Sequence, residues 1–122
     1  MASLGEFTQA EPALREATSR FAKGERIQYS LSLFYLGDVL LLQGRACDAL
    51  PWFKSTVDVR KSFMPTSHWM IASAENGLGT AMMKCDEHDA GVKLQSDSLH
   101  TLEASRPPHD WYLDLAYRYA SL

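Results

Sequence analysis

Residues 31–53 read LSLFYLGDVLLLQGRACDALPWF, two leucine- and alanine-rich runs on either side of a glycine at position 44. Apolar residues recur at spacings of three and four, as in Ala49, Trp52 and Phe53. Such spacings place side chains on one face of a helix, whereas a half-buried strand alternates with a period of two. The stretch therefore predicts two amphipathic helices joined by a tight turn at Gly44.

The rest of the chain repeats this pattern. Leucine and alanine, which favour helices, dominate, while the β-branched residues that favour sheets are scarce. Breaks are expected at Gly24, Gly44, Pro65 and the pair Pro107-Pro108. The short connections predict an all-α fold in which successive helices run antiparallel. We expect about six helices, at 8–23, 28–43, 47–63, 69–84, 88–104 and 110–122.

Length and charge restrict the class of protein. The chain has 122 residues, enough for one domain, with a net charge of -3 and a pI near 5.7. A mildly acidic surface argues against nucleic-acid binding, which needs clustered positive charge. The longest apolar run, Val39 to Leu42, is far too short to cross a membrane, and the N-terminus lacks the features of a signal peptide.

Two cysteines are present, Cys47 and Cys85. Two cysteines do not make a disulfide framework, so we expect both to be free thiols in a reducing compartment. Together with the missing signal peptide, this predicts a cytoplasmic protein.

The chain also repeats itself. A shift of 42 residues superimposes Leu36-Gly37 on Leu78-Gly79, Pro65 on Pro107 and Trp69 on Trp111. A shift near 40 aligns three small residues, each followed four positions later by a bulky one: Ala10 and Leu14, Ala49 and Phe53, Ala90 and Leu94. Small residues at fixed places let two helices approach closely, and the bulky residue fills the groove between neighbouring pairs. A single pair cannot bury its apolar face alone, so such units stack.

These residues resemble tetratricopeptide repeats, and the 42-residue unit is similar to the kinesin-light-chain-like subfamily, which also has an asparagine in its first helix, here Asn76. The resemblance implies an α-solenoid of antiparallel helix hairpins, cut from a longer array. It divides one domain, 1–122, into a half repeat 4–27, repeats 28–68 and 69–110, and a half repeat 111–122.

The resemblance further implies a non-catalytic module, without cofactor or metal, that binds a protein or peptide. First helices of such repeats line a concave groove. By the family's register the groove residues are Leu31, Phe34, Asp38, Leu41, Ser73, Asn76, Thr80, Met83 and Arg118, extended by Leu115. Similar repeats often accompany bacterial signalling domains, which suggests a regulatory segment of a larger signalling protein.

Three alternatives stay open. Phe34 and Leu41 would instead complete the core if helix 28–43 is buried nearly all round. The apolar terminal helices would make the chain a self-assembly element. A helical enzyme or metal protein would use His68, His109 or the Cys85-x-x-His88 pair, although metal sites need more ligands at paired spacings. For the linker histidines, capping of the next helix is the simpler interpretation.

Overall fold

The computed structural model describes residues 23–105, 115–117 and 119. It contains four helices: α1 (Lys23–Leu42), α2 (Ala46–Lys61), α3 (Trp69–Met83) and α4 (His88–Ser105). Residues 115–117 and 119 are also helical, and none of the described residues forms a strand. The predicted all-α class is therefore confirmed.

Both ends of α2, α3 and α4 and the end of α1 agree with the sequence prediction to within two residues, and the start of α1 is the exception. It begins at Lys23 and runs through Gly24, so the predicted break at that glycine is wrong. The predicted helix 8–23 lies outside the described residues apart from Lys23. The predicted helix 110–122 contains the four helical residues described near the C-terminus, while Pro107-Pro108 lies outside them.

Two connections show why one helix ends and another begins where it does. Gly44 adopts φ +78°, a left-handed conformation that favours glycine, and its amide donates to the Leu41 carbonyl at 3.0 Å. At the start of α3, Nδ1 of His68 accepts the amide hydrogen of Met70 at 3.1 Å. The interpretation of His68 as a helix cap is thus confirmed.

The helices pack in chain order. α1 packs on α2, α2 on α3 and α3 on α4, with a smaller contact between α1 and α3, and neighbours are antiparallel. A large apolar cluster holds α1, α2 and α3 together, and a smaller one joins α3 and α4 to Ala116. The buried residues of the smaller cluster are Ala72, Leu102 and Ala116, with Trp69 and Leu99 packed against them.

Glycines set the distance between helices. The Phe53 ring lies between α1 and α3, where a Cβ at Gly37 would come within 3.0 Å of it and a Cβ at Gly77 within 2.5 Å. In α3, a Cβ at Gly79 would lie 2.6 Å from the backbone nitrogen of Gln95, and Gly79 also faces Gly91. Gly77 and Gly79 are thus packing residues of α3.

Cys47 and Cys85 form a disulfide, with Cα atoms 5.1 Å apart, so the prediction of free thiols is wrong. The bond joins the first turn of α2 to the turn that follows α3, which the packing of α2 on α3 brings side by side. Disulfides persist in oxidising compartments and are rare in the cytosol. The pairing therefore fits less with the cytoplasmic location that free thiols implied.

Within the described part of the chain, no helix has both the length and the apolar character needed to span a membrane.

Candidate functional site

The predicted groove residues of α1 divide into two kinds. Phe34 and Leu41 are buried in the large cluster, while Leu31 and Asp38 are half-buried. The Phe34 ring meets Phe53 edge-on, with centroids 5.5 Å apart. In this conformation Phe34 and Leu41 serve the core, the alternative that the sequence left open.

Most of the predicted groove residues of α3 are buried. Ser73, Asn76 and Thr80 are buried, and Met83 is half-buried. The Asn76 amide donates to the backbone carbonyl of Gln95 at 3.2 Å and to the Ser98 hydroxyl at 3.4 Å. These buried side chains cannot contact a ligand without rearrangement. Arg118 lies outside the described residues.

A polar network therefore fills the space between α3 and α4. The Gln95 side chain donates to the Thr80 hydroxyl at 2.7 Å, and that hydroxyl donates to the backbone carbonyl of Asn76 at 2.9 Å. Among the described residues, none donates to Oδ1 of Asn76, although the side chain is only 1% exposed. The network occupies the place that an aromatic cluster fills in the first helix pair.

Tyr119 reaches from the C-terminal helical residues to α1 and α2. Its hydroxyl donates to the Asp38 carboxylate, and its ring packs edge-on against Phe53 with centroids 6.4 Å apart. Tyr119 is 1% exposed. The chain's own tyrosine thus contacts Asp38, one of the residues predicted to bind a ligand.

Arg60 is the largest fully buried side chain of α2. Its Nε donates to the Ser30 hydroxyl at 3.1 Å, its Nη1 donates to the Met70 carbonyl at 2.6 Å, and the guanidinium lies 5.5 Å from the centre of the Phe34 ring. Hydrogen bonds make burial of a charge tolerable. Arg60 therefore ties α2 to α1 and α3, a role that the sequence did not reveal.

The candidate metal and catalytic residues do not form a centre in the described part. His68 caps α3, and Cys85 is held in the disulfide rather than available as a thiolate ligand. His109 lies outside the described residues. No group of three or more His, Cys, Asp or Glu side chains within the described ranges is placed to hold a metal ion.

Among the residues that the structure describes, the carboxyl group of Glu75 is perturbed. Burial raises the pKa of Glu75 on α3, and attraction to Lys61 partly opposes the rise. Lys61 ends α2, so this interaction also connects the α1–α2 pair of helices to the α3–α4 pair. Nothing near Glu75 identifies it as a general acid, and we treat it as a structural group.

One surface stands out as apolar. Tyr35, Val39 and Leu42 lie three to four residues apart on α1 and are 52%, 43% and 47% exposed. We call these three residues the α1 stripe. A helix face of this kind is typical of a surface that packs against another helix.

No protein-family model matches the chain, and searches of curated proteins and of solved structures give no match either.

Proposed function

We propose that the chain is a non-catalytic interaction module, a short α-solenoid of the tetratricopeptide type that binds a protein or peptide. The supporting observation is a packing relation that occurs twice. Gly37 faces Phe53 and Gly79 faces Gln95, and in each hairpin the two contacting residues are 16 positions apart. The two contacts are themselves displaced by 42 residues, the period of the sequence repeat.

The second helices support the same period. Ala49 is buried in α2, and Gly91, 42 residues later, is buried in α4 against Gly79. Ala90, which the sequence aligned with Ala49, is exposed. A uniform shift of 42 therefore describes both helices of each unit. This favours repeats at 28–68 and 69–110.

Stacked hairpins of this kind expose extended surfaces made from several units, which is why such folds serve recognition. The surface open to a partner differs from the predicted groove, because Phe34, Leu41, Asn76 and Thr80 are buried. The predicted groove residues that stay partly exposed are Leu31, Asp38 and Met83. In a longer protein, the module would act as a docking arm of a signalling chain.

A peptide-display selection against the full chain tests this proposal. We expect selected peptides that bind the oxidised, folded chain with micromolar affinity and lose at least tenfold in affinity when the chain is unfolded in urea. A selection that returns only peptides with equal affinity for folded and unfolded chain would reject the interaction module.

A second candidate function, self-assembly, is favoured by the α1 stripe. Burying this apolar face against a second copy would remove its three side chains from water. Val39→Lys should then convert an oligomer to a monomer in sedimentation equilibrium, whereas Ser32→Lys, also exposed on α1, should not. A wild-type chain that stays monomeric at millimolar concentration would dismiss this candidate.

A further inference from the structure

Two separate links hold α2 against α3, one at each end of the contact. The Cys47–Cys85 disulfide joins the first turn of α2 to the turn that follows α3. Arg60, in the last turn of α2, donates from Nη1 to the backbone carbonyl of Met70, in the first turn of α3, at 2.6 Å. We call these the disulfide end and the arginine end of the α2–α3 contact. The two ends depend on different chemistry, and a thiol acts on the disulfide end.

The two cysteines differ in their accessibility. Cys47 is exposed, whereas Cys85 is half-buried and packs against the large apolar cluster. Exchange requires a thiolate to reach one of the two sulfur atoms, so access selects the sulfur that is attacked, and exposed disulfides are the labile, regulatory kind. We propose that Cys47–Cys85 is a reversible thiol-exchange site, at which a dithiol attacks Cys47 and frees the disulfide end while Arg60 holds the arginine end.

The reaction transfers two electrons from the dithiol to the protein. One thiol of the reductant loses its proton to water and bonds to the Cys47 sulfur, the bond to Cys85 breaks, and Cys85 leaves as a thiolate that takes a proton from water. The second thiol of the reductant loses its proton and attacks the reductant's own sulfur in the mixed disulfide, which releases Cys47 to be protonated in turn. The reductant ends as a disulfide and the protein as two thiols.

Contacts away from the sulfur atoms keep α2 and α3 packed after reduction. Phe53 of α2 and Ala74 and Ala81 of α3 are fully buried in the large cluster. Arg60 is 1% exposed, and its hydrogen bond to the Met70 carbonyl lies at the opposite end of the contact from the disulfide. Reduction should therefore loosen one end of the contact rather than separate the two helices.

The turn after α3 is the part that reduction should change most. Asp86 follows Cys85 and adopts φ +62°, a left-handed conformation that favours glycine. The equivalent residue 42 positions earlier is Gly44, with φ +78°. An unfavourable backbone conformation persists where its surroundings hold it, and the disulfide is the covalent restraint beside this one. Its loss should weaken the bond from the Glu87 amide to the Met82 carbonyl, 3.1 Å long in the oxidised chain.

A trapping experiment tests the direction of attack. The oxidised full chain is treated with reduced glutathione, without denaturant, and quenched early with iodoacetamide, which alkylates the cysteine that has left. Peptide mapping by mass spectrometry then locates the glutathione. We expect it on Cys47 in about tenfold excess over Cys85, because access selects the sulfur. Equal amounts on the two cysteines, or reaction only after the chain is unfolded in urea, would overturn the exchange site.

Nuclear magnetic relaxation of backbone nitrogen tests what reduction changes in the folded chain. Dithiothreitol should lower the order parameters of Asp86 and Glu87 below about 0.6 and leave those of Ile71 and Ala72, at the arginine end, near 0.85. Oxidised dithiothreitol should restore the first pair. Unchanged values at all four residues would reduce the bond to a passive cross-link, and disorder at all four would mean that it holds the whole contact; either result contradicts the proposal.

Variants of each link provide the matched controls. The chain with Cys47→Ser and Cys85→Ser should show the reduced pattern with and without dithiothreitol. Arg60→Lys replaces the planar guanidinium by a single ammonium group, so it should loosen the arginine end while the oxidised bond keeps Glu87 ordered. An Arg60→Lys chain that loses order at Glu87 while still oxidised would show that the two ends are not independent, and the proposal would fail.

Discussion

The α1–α2 pair and the α3–α4 pair of helices each place a glycine against a residue 16 positions later, but they differ in the side chains that lie between the helices. Phe53 of the first hairpin corresponds to Gln95 of the second, and Phe34 corresponds to Asn76. The aromatic pair packs edge-on at 5.5 Å, whereas the amide pair belongs to a hydrogen-bonded network. Glycine positions thus fix how closely helices approach, while the chemistry between them is free to change.

The close contacts also differ in kind. Gly37 meets a side chain, the Phe53 ring, at 3.0–3.1 Å, a distance that a small displacement of the ring relieves. Gly79 meets the backbone of Gln95 and Gly91, which moves only if α3 and α4 separate. The polar hairpin should therefore tolerate added volume less than the aromatic one.

Breaking the link between the hairpins should have the largest effect. The Cys47–Cys85 bond closes a loop with a sequence separation of 38 residues. The chain-entropy estimate for such a loop is about 4 kcal/mol. We expect Cys47→Ser with Cys85→Ser to lower the free energy of unfolding by about that amount in urea titrations. Reductant should destabilise wild type equally and leave the double variant unchanged; a wild type indifferent to reductant would contradict the pairing.

Glycine substitutions compare the two hairpins directly. Gly79→Ala should lower the free energy of unfolding by about 2 kcal/mol, since overpacking against backbone costs about 1–3 kcal/mol. Gly37→Ala should be nearly neutral, because alanine gains about 1 kcal/mol of helix propensity and the Phe53 ring can give way. Thermal and urea unfolding measure both.

A rescue experiment separates side-chain from backbone crowding. Gly77→Ala collides with the Phe53 ring, so Phe53→Leu should restore part of the stability that Gly77→Ala removes. The same Phe53→Leu change should not rescue Gly79→Ala. Rescue of both glycine variants, or of neither, would show that the two contacts do not differ as described.

The helices, their order and the packing glycines follow from the sequence, because apolar spacing and glycine placement act locally and repeat along the chain. Leu36-Gly37 and Leu78-Gly79 carried that information. Side-chain direction was harder to infer. The family register placed Asn76 at a free surface, but its amide donates into α4.

Contacts between residues far apart in the sequence could not be predicted for a related reason. Cys47 and Cys85 meet only once α2 and α3 stack, and spacing alone does not show that neighbouring units bring these two positions together. Arg60 is buried because Ser30 and the Met70 carbonyl converge on it, which no local pattern encodes. The sequence did carry a signal for the burial of Tyr119, because Tyr119 lies 42 residues, the shift found in the sequence, after Gly77.

Asn76 tests whether the polar network stabilises its hairpin. Asn76→Ala removes two donated hydrogen bonds and leaves a cavity, so we expect a loss of about 1–2 kcal/mol in the free energy of unfolding. Asn76→Leu should cost less, because Oδ1 of Asn76 is buried with no donor among the described residues and leucine has the same branched shape. A leucine variant less stable than the alanine variant would show that the network needs the amide.

The smallest expected effect concerns Glu75, the equivalent in α3 of the buried Leu33 in α1. Burial raises the pKa of Glu75 above its unfolded value, so the folded state binds this proton more tightly. The protonated carboxyl therefore favours folding below the unfolded pKa, and that contribution disappears as pH rises through the folded pKa. Glu75→Gln should stabilise the chain at pH 7 and leave stability unchanged near pH 3.

Glu103→Gln, exposed on α4, is the matched control for this pH series. Urea unfolding from pH 3 to pH 7 should give a widening difference between wild type and Glu75→Gln as pH rises. When Lys61→Gln is introduced into both chains, the difference in the free energy of unfolding between Glu75→Gln and the chain with Glu75 should widen further at pH 7. Lys61→Gln removes the attraction that opposes the rise in the Glu75 pKa. A gap of opposite sign would mean that the attraction to Lys61 outweighs the effect of burial, so that Glu75 would stabilise the contact between α2 and α3 instead of destabilising the fold as a half-buried charge.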